Sequence, residues 1–386
     1  METLRIAVDA RPLTSGQVGG FRTYLRSLLI GLRERQDAGG GLPRLLLYLG
    51  RPPTPELIAT LPTGTETRVL SPNRLRVDAR LWRTQIRADA PDLVFGTQNY
   101  LPDTGDGSNP IASVVVLHDA IGIKRYAWER DTPRTLRERV THRYWQWQTL
   151  RSARRATRVI TVSGGARDEI RSVLTDLPGS RFVTIYNGIA LPTPRLGGGR
   201  DVGTILCIAS PDPRKNLTLL FDVLKNHRAR IGDGVLRLRV VCASADVAAR
   251  TGAVLAVYGL DAELITGLDN QGLADVYARS TVFVWPSHQE GFGLPPLEMM
   301  ATGGVVASSD AICMPEVLGD APVYFSPLSA VGLADAVGAL LRDPVARRER
   351  GERGRAHAAT FTCRRMADET IAVWEQVAGG SRPPPR

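Results

Sequence analysis

Apolar and polar positions along the chain fall into two alternating sets. Short runs rich in Val, Ile and Leu occupy residues 4–8, 45–49, 93–95, 113–117, 159–162 and 183–186. Longer stretches of helical periodicity lie between them. Runs that are apolar on both faces, separated by amphipathic helices, predict parallel strands covered on both sides of a sheet. Residues 190–201 break the pattern with Pro192, Pro194 and three consecutive glycines from Gly197. A second set follows at 204–208, 236–241, 264–265, 282–285 and 305–307. The expectation is therefore two doubly wound α/β domains, residues 1–190 and 202–360, joined by a linker at 191–201. Met366, Ile371, Val373, Trp374 and Val377 mark a closing helix over 361–380, and the Pro-rich last residues are expected to fray.

Composition fits that picture. A chain of 386 residues exceeds one ordinary core, and 43% hydrophobic with 23% charged residues is a globular balance. The longest apolar runs are strand-sized, so no bilayer span is expected, and no leader segment is evident at the start. Cys207, Cys242, Cys313 and Cys363 are scattered without metal-ligand spacing and read as reduced, buried thiols. A cytoplasmic location is expected, with contact to the inner face of the membrane left open. The net charge of +10 is almost all arginine, Lys124, Lys215 and Lys225 being the lysines. GC-rich coding accounts for much of that usage; attraction to diphosphates or an anionic membrane is the functional reading. No nucleic-acid motif accompanies the charge, so nucleic acid is not expected as a partner.

Chemistry concentrates at the ends of strands. The stretch Pro286-Ser287-His288-Gln289-Glu290-Gly291-Phe292-Gly293-Leu294-Pro295-Pro296-Leu297-Glu298 follows the run Val282–Trp285. The carboxyl ends of strands are where open α/β sheets bind ligands. Gly291 and Gly293 admit a ligand close to the backbone, and Pro295 and Pro296 suit a helix start, whose amides and dipole favour a diphosphate. Glu290 and Glu298 offer two carboxylates for hydroxyls at separate positions on one ligand.

Asp212-Pro213-Arg214-Lys215-Asn216 likewise lies between a strand and a helix. Its two cations suit a diphosphate, against the plainer reading of a solvated turn in which Asn216 caps the helix. His118 and Asp119 end the buried run 113–117, where a satisfied structural histidine competes with a functional one. Gly19 and Gly20 form either a plain strand-to-helix turn or a loop whose amides approach acceptor and phosphate, and no dinucleotide-binding G-x-G-x-x-G is present. Asp9 is either a loop-orienting carboxylate or an acceptor contact. Residues 134–158 combine many arginines with Tyr144, Trp145 and Trp147; a surface helix packing on the sheet is preferred over one lying on a membrane.

The string from Pro286 to Glu298 resembles the E-x7-E signature of family 4 retaining glycosyltransferases. Matching stretches run in order over nearly the whole chain: Asp9-Ala10-Arg11-Pro12-Leu13 with Gly19-Gly20, Leu117-His118-Asp119, Ile160-Thr161-Val162-Ser163, Tyr186-Asn187-Gly188, Pro213-Arg214-Lys215-Asn216, and Met314-Pro315-Glu316-Val317. The nearest branch is that of O-antigen mannosyltransferases. The resemblance implies a GT-B fold, two facing Rossmann-like domains with a C-terminal helix crossing back to the first. It implies that Arg214 and Lys215 hold the donor diphosphate and stabilise the departing nucleotide. Glu290 and the amides of Phe292, Gly293 and Leu294 would hold the sugar, Glu298 the ribose, and the stretch at Gly267 and Leu268 the base. His118 would lie beside the transferred sugar. Retention would come from same-face attack without a protein nucleophile.

The expected activity is hexosyl transfer from a UDP- or GDP-sugar, a co-substrate rather than a cofactor, and no metal is expected because D-x-D does not occur and the diphosphate partners are cationic. A small soluble acceptor such as an aminocyclitol is preferred over a lipid-linked saccharide. A glycoside hydrolase would leave Arg214 and Lys215 without a purpose, and a glycosyl phosphorylase would need a cofactor lysine for which no motif is present. A non-catalytic carbohydrate- or membrane-binding module would have no need of the intact motif series.

Overall fold

The computed structural model describes residues 3–15, 19–71, 81–103, 111–126, 129, 135–195, 199–232 and 234–381. They group into two compact units. One holds residues 1–124, 134–190 and 361–386, the other 125–133 and 191–360. Most of the glycine run in the expected linker lies outside the described residues.

The first unit is built on strands β1 (Arg5–Asp9), β2 (Arg44–Leu49), β3 (Glu66–Val69), β4 (Leu93–Gly96), β5 (Ala112–Leu117), β6 (Arg158–Thr161) and β7 (Phe182–Thr184). All pair in parallel, in the order β3-β2-β1-β4-β5-β6-β7. Its helices are α1 (Gly20–Asp37), α2 (Pro55–Thr60), α3 (Trp82–Asp89), α4 (Leu136–Arg155) and α5 (Gly164–Val173). The second unit carries β8 (Thr204–Ala209), β9 (Arg237–Cys242), β10 (Glu263–Ile265), β11 (Val282–Trp285), β12 (Val305–Ser309) and β13 (Val323–Phe325). These too are parallel, ordered β10-β9-β8-β11-β12-β13. Its helices are α6 (Leu217–Asn226), α7 (Arg228–Ile231), α8 (Ala245–Tyr258), α9 (Asn270–Arg279), α10 (Leu294–Ala301), α11 (Met314–Leu318), α12 (Ala330–Arg342) and α13 (Pro344–Ala358), while α14 (Cys363–Ser381) belongs to the first unit.

Each order is the Rossmann one, and its direction reverses between β1 and β4 in the first sheet and between β8 and β11 in the second. Such switch points open a crevice at the strands' carboxyl ends, and both sets of candidate residues lie there. Val114, Val115, Val116 and Leu117 on β5 and every residue of β11 are buried, as two-sided cover requires. Two strands escape the hydrophobic pattern. β3 reads Glu-Thr-Arg-Val on the sheet's edge, and β13 is three residues long.

The closing helix α14 lies on α1 so closely that a Cβ on Gly31 would collide with the Cys363 carbonyl. Trp374, fully buried, meets the Phe95 ring edge-on at 5.1 Å. Thr193, Arg195 and Asp201 are tied along α9 of the second unit. The Arg195 amide donates to Asp275 Oδ1 at 2.8 Å, Gln271 Nε2 to the Thr193 carbonyl at 3.0 Å, and the Asp201 amide to the Arg279 carbonyl at 2.8 Å.

Candidate functional site

In the second unit the loops after β8 and β11 meet at the switch point. Asp212 shapes the first of them. Its carboxylate accepts from the Arg214 amide at 3.1 Å and from Arg214 Nε at 2.7 Å. Asn216 then turns the chain through the left-handed region, φ 53°, and leads into α6. Its side chain does not cap that helix. Nδ2 donates instead to the Pro286 carbonyl at 3.1 Å and the Pro327 carbonyl at 2.9 Å, which fastens the β8 loop to the loops after β11 and β13. The His288 amide donates to the Arg214 carbonyl at 2.8 Å, a second tie.

This framework brings the cations onto Glu290. Lys215 Nζ lies 2.7 Å from Glu290 Oε1, and Arg214 Nη1 lies 3.5 Å from Oε2. Lys215 also stands over the Trp285 ring, 4.2 Å from its centroid. Burial pulls the Lys215 ammonium below its usual range, more than the Glu290 carboxylate pushes it back. Cys313 supports the loop from behind, its Sγ donating to the Glu290 carbonyl at 3.2 Å. The side chains of Arg214, Lys215 and Glu290 keep 20%, 16% and 7% of their exposure, so the cluster is recessed yet reachable.

Helix α10 begins at this cluster. Gly293 precedes it at φ 91°, which favours glycine. Pro295 and Pro296 have no N–H, so within the first turn the amide left to meet an anion is that of Leu294, alongside the loop amides before it. The seat is thus narrower than a helix start with free amides would offer. Phe292, in the loop before it, is buried. Glu298, one turn into the helix, accepts from the Tyr277 hydroxyl at 3.1 Å. Burial, and then Glu298, pushes that hydroxyl's pKa well up and keeps it a donor. Gly267, at φ 71°, and Leu268 follow β10, on the same carboxyl edge but at the outer strand.

The chain after β12 closes the other flank. Ile312 holds φ 40°, a left-handed conformation that β-branched residues avoid, and leaves 39% of its surface exposed. On its heels come Cys313, bonded to Glu290, and Met314, whose Cε stands 2.6 Å from where a Cβ on Gly293 would be.

In the first unit, Asp9 at the end of β1 is fully buried. Arg11 grips it with Nε at 2.8 Å and Nη2 at 2.9 Å, and Gln98 Nε2 adds a bond at 2.9 Å. Arg11 in turn lies between the rings of Trp82 and Tyr100, 5.5 Å from each. These partners fit the loop-orienting alternative for Asp9. Thr97 donates to the Asp9 carbonyl at 2.6 Å, and its own carbonyl meets His118 Nε2 at 2.9 Å. A carbonyl only accepts, so Nε2 carries the proton and Nδ1 is the acceptor of the neutral ring. The ring stands edge-on to Phe21 at 4.8 Å and Tyr24 at 4.9 Å, in the first turns of α1. Burial lowers its pKa to about 4, so at neutral pH it is uncharged. Exposed Gly19 and Gly20 start α1, Gly19 at φ 156°, a backbone geometry glycine alone takes readily. The first unit therefore assembles Asp9, His118 and the Gly19-Gly20 turn around its own switch point.

Gln98, Trp82, Tyr277 and Trp285 escape a reading of the sequence, because each acts on a partner distant in the chain, whereas Arg11 and Asp212 stand in the quoted motifs and act on partners two residues away. Thr97-Gln98-Asn99 carried a signal, being three polar residues placed directly after the apolar run 93–95. Helix α4 starts with a capping box, Thr135 and Glu138. Its C-terminal half buries Gln148, Thr149, Ser152 and Ala153, while Leu136, Val140 and Trp147 remain exposed. No helix among the described residues is long and apolar enough to cross a membrane.

Residues 18–191 match the model of Glycosyltransferase Family 4, and residues 203–343 that of Glycosyl transferases group 1. The chain is 31% identical over 237 residues to the MMP alpha-(1->4)-mannosyltransferase of Mycolicibacterium hassiacum, covering 58% of this chain and 56% of that one. It is 28% identical over 261 residues to the alpha-maltose-1-phosphate synthase of Mycobacterium tuberculosis, covering 60% and 66%. The serotype-specific mannosyltransferase WbdA of Escherichia coli is 24% identical over 318 residues, 76% of this chain and 38% of that one. The chain thus spans less than two thirds of the length of the curated relatives it matches. Among solved structures, the sucrose-phosphate synthase of Thermosynechococcus elongatus superposes with a TM-score of 0.76 over 98% of this chain and 100% of its own, at 19% identity. Anabaena HepE in complex with UDP-glucose gives 0.70 over 97% and 100%, at 15% identity.

Proposed function

Since the chain belongs to the family 4 glycosyltransferases of GT-B fold, we propose that it transfers a hexose from a UDP- or GDP-sugar to a hydroxyl acceptor with retention of configuration. The observation that carries this reading is the convergence of Arg214, Lys215 and Glu290 on the start of α10 at a switch point. Two cations beside a carboxylate suit a ligand with an anionic end and a hydroxylated end. The diphosphate draws on Arg214, Lys215 and the Leu294 amide. That positive charge also stabilises the negative charge gathering on the departing nucleotide, so the reaction proceeds without a divalent ion. Glu290, released from Lys215 by the incoming phosphate, accepts hydrogen bonds from sugar hydroxyls. Glu298 takes the ribose, and the Gly267-Leu268 turn lies against the base.

On the first unit, neutral His118 offers Nδ1 as a hydrogen-bond acceptor to a sugar hydroxyl, and the Gly19-Gly20 turn offers amides to the acceptor. No side chain is assigned as nucleophile. The acceptor is a small soluble hydroxyl compound such as a saccharide or aminocyclitol, a reading supported by a relative named for making maltose-1-phosphate. A second reading, a saccharide on a lipid carrier, draws on exposed Leu136, Val140 and Trp147, which recur along one face of α4, and on the likeness to WbdA.

Incubation with a panel of UDP- and GDP-hexoses, with and without candidate acceptors, tests the proposal through release of nucleoside diphosphate. Acceptor-stimulated release that survives a chelator, with the product keeping the donor's anomeric configuration, is the expected result. No stimulation by any acceptor would count against transfer, and an inverted product would overturn retention alone.

A further inference from the structure

Arg200 stands at the end of the segment that enters the second unit, and its guanidinium bridges the ends of two helices. Nη1 donates to the carbonyls of Tyr277 at 2.8 Å and Ser280 at 2.7 Å, at the end of α9. Nη2 donates to the Thr302 carbonyl at 2.7 Å, at the end of α10. Arg355 of α13 adds a second guanidinium to that carbonyl at 3.2 Å. Among the described residues no carboxylate is a partner of Arg200, although it is half-buried. A guanidinium placed so is held by helix-end carbonyls, with the Thr302 hydroxyl at 3.5 Å, where the macrodipole favours a cation.

The two helices it joins are the two that carry the Tyr277–Glu298 hydrogen bond. Thr302 lies one turn beyond Glu298 on the chain that continues α10, and Tyr277 itself supplies one of the carbonyls. The fork of Arg200 and the 3.1 Å bond from the Tyr277 hydroxyl to Glu298 Oε2 are therefore two rungs between the same rails. Removing the fork leaves α9 free to shift against α10, and an error of about 1 Å at a ligand-binding group carries a large cost in affinity or rate.

We propose that Arg200 is a positioning residue for Glu298, fixing that carboxylate where it meets the ribose of the donor. The inference rests on the donor-site reading above and assigns a part to a residue outside the site. It separates two halves of the donor. The diphosphate is held by Arg214 and Lys215, which Arg200 does not touch, whereas the nucleoside is held through Glu298.

Calorimetric titration of the full chain with UDP, GDP and inorganic pyrophosphate distinguishes them, using R200A, R200K and E298Q. In R200A, affinity for the nucleoside diphosphate that wild type binds falls about tenfold, while pyrophosphate affinity is unchanged. In the E298Q background R200A produces little further loss, because the two act in series. R200K keeps the charge but not the fork and recovers part of the affinity; should R200A not fold, R200K alone shows the same selective loss. Equal weakening of pyrophosphate and nucleoside diphosphate, or additive losses in the double variant, would reduce Arg200 to a general stabiliser and overturn the proposal. A wild-type protein that binds neither UDP nor GDP would instead defeat the reading of the site itself.

Discussion

Lys215 and Glu290 reach one another across the two loops at the second unit's switch point, ammonium to carboxylate at 2.7 Å. The pair sits where a ligand has to enter, so each partner is also a competitor for what the other would bind.

Glu290→Gln tests that competition. Losing the carboxylate frees Lys215 and Arg214 for phosphate oxygens but removes the acceptor for sugar hydroxyls. Inorganic pyrophosphate is expected to bind several-fold more tightly, while turnover with a nucleotide sugar falls by about a hundredfold or more. Calorimetry and a nucleotide-release assay give the two numbers. Unchanged pyrophosphate affinity would mean that Glu290 does not contest the cations.

His118 predicts a pH dependence. Burial holds its folded pKa near 4, against 6.5 in the unfolded chain. The unfolded chain therefore binds the extra proton first as pH drops. The stability contribution of the neutral ring is complete above about pH 6.5 and is lost progressively towards pH 4. His118→Gln, which keeps a donor for the Thr97 carbonyl, should lose about 2–3 kcal/mol less than wild type between pH 7 and pH 4.5. Urea unfolding at the two pH values measures it, and parallel losses in both proteins would place the ring's titration elsewhere.

Gly293→Ala separates backbone strain from crowding. The new Cβ would meet Met314 Cε, the mobile tip of a flexible side chain, whereas φ 91° cannot be relieved by a neighbour. A cost of about 1–2 kcal/mol is expected from the left-handed backbone, together with weakened donor binding as the Leu294 amide turns away. The double variant with Met314→Ala should remain destabilised in thermal unfolding. Full recovery in the double variant would show that crowding, not conformation, requires the glycine.

Ile312 is a site where stability has been given up. Replacing it with Gly, or with Asn, which tolerates the left-handed region, should relieve about 1 kcal/mol and raise the melting temperature by about 2–4 °C. A lower melting temperature in both variants would mean that the packing of the Ile312 side chain outweighs its strain.

The sequence made the buried strands legible because a strand covered on both faces has to be apolar at every position, as Val282–Trp285 is. It hid β3 because an edge strand tolerates Glu66 and Arg68, and β13, Val323–Phe325 at the edge of the second sheet, escaped the reading as well. Arg214, Lys215 and Glu290 stood out individually from their places at strand ends. Their pairing did not, since it joins positions 75 residues apart, and neither did the Trp285 ring beneath Lys215, which reads as one more apolar strand residue. Asn216 shows the limit of local rules. Its position before a helix suggests a cap, yet two distant carbonyls claim its amide.

The pairing of α1 with α14 has a bearing on how the protein is made. The surface that seats Trp374 against Phe95, and the groove at Gly31 that admits Cys363, exist early in synthesis but are filled by residues translated after the entire second unit. A ribosome-bound chain can therefore complete the second unit while the first still shows an uncovered apolar face, so the order of synthesis and the order of completion run in opposite directions. Any interruption within the codons for residues 361–381 would leave a protein whose second unit is whole and whose first is open to aggregation.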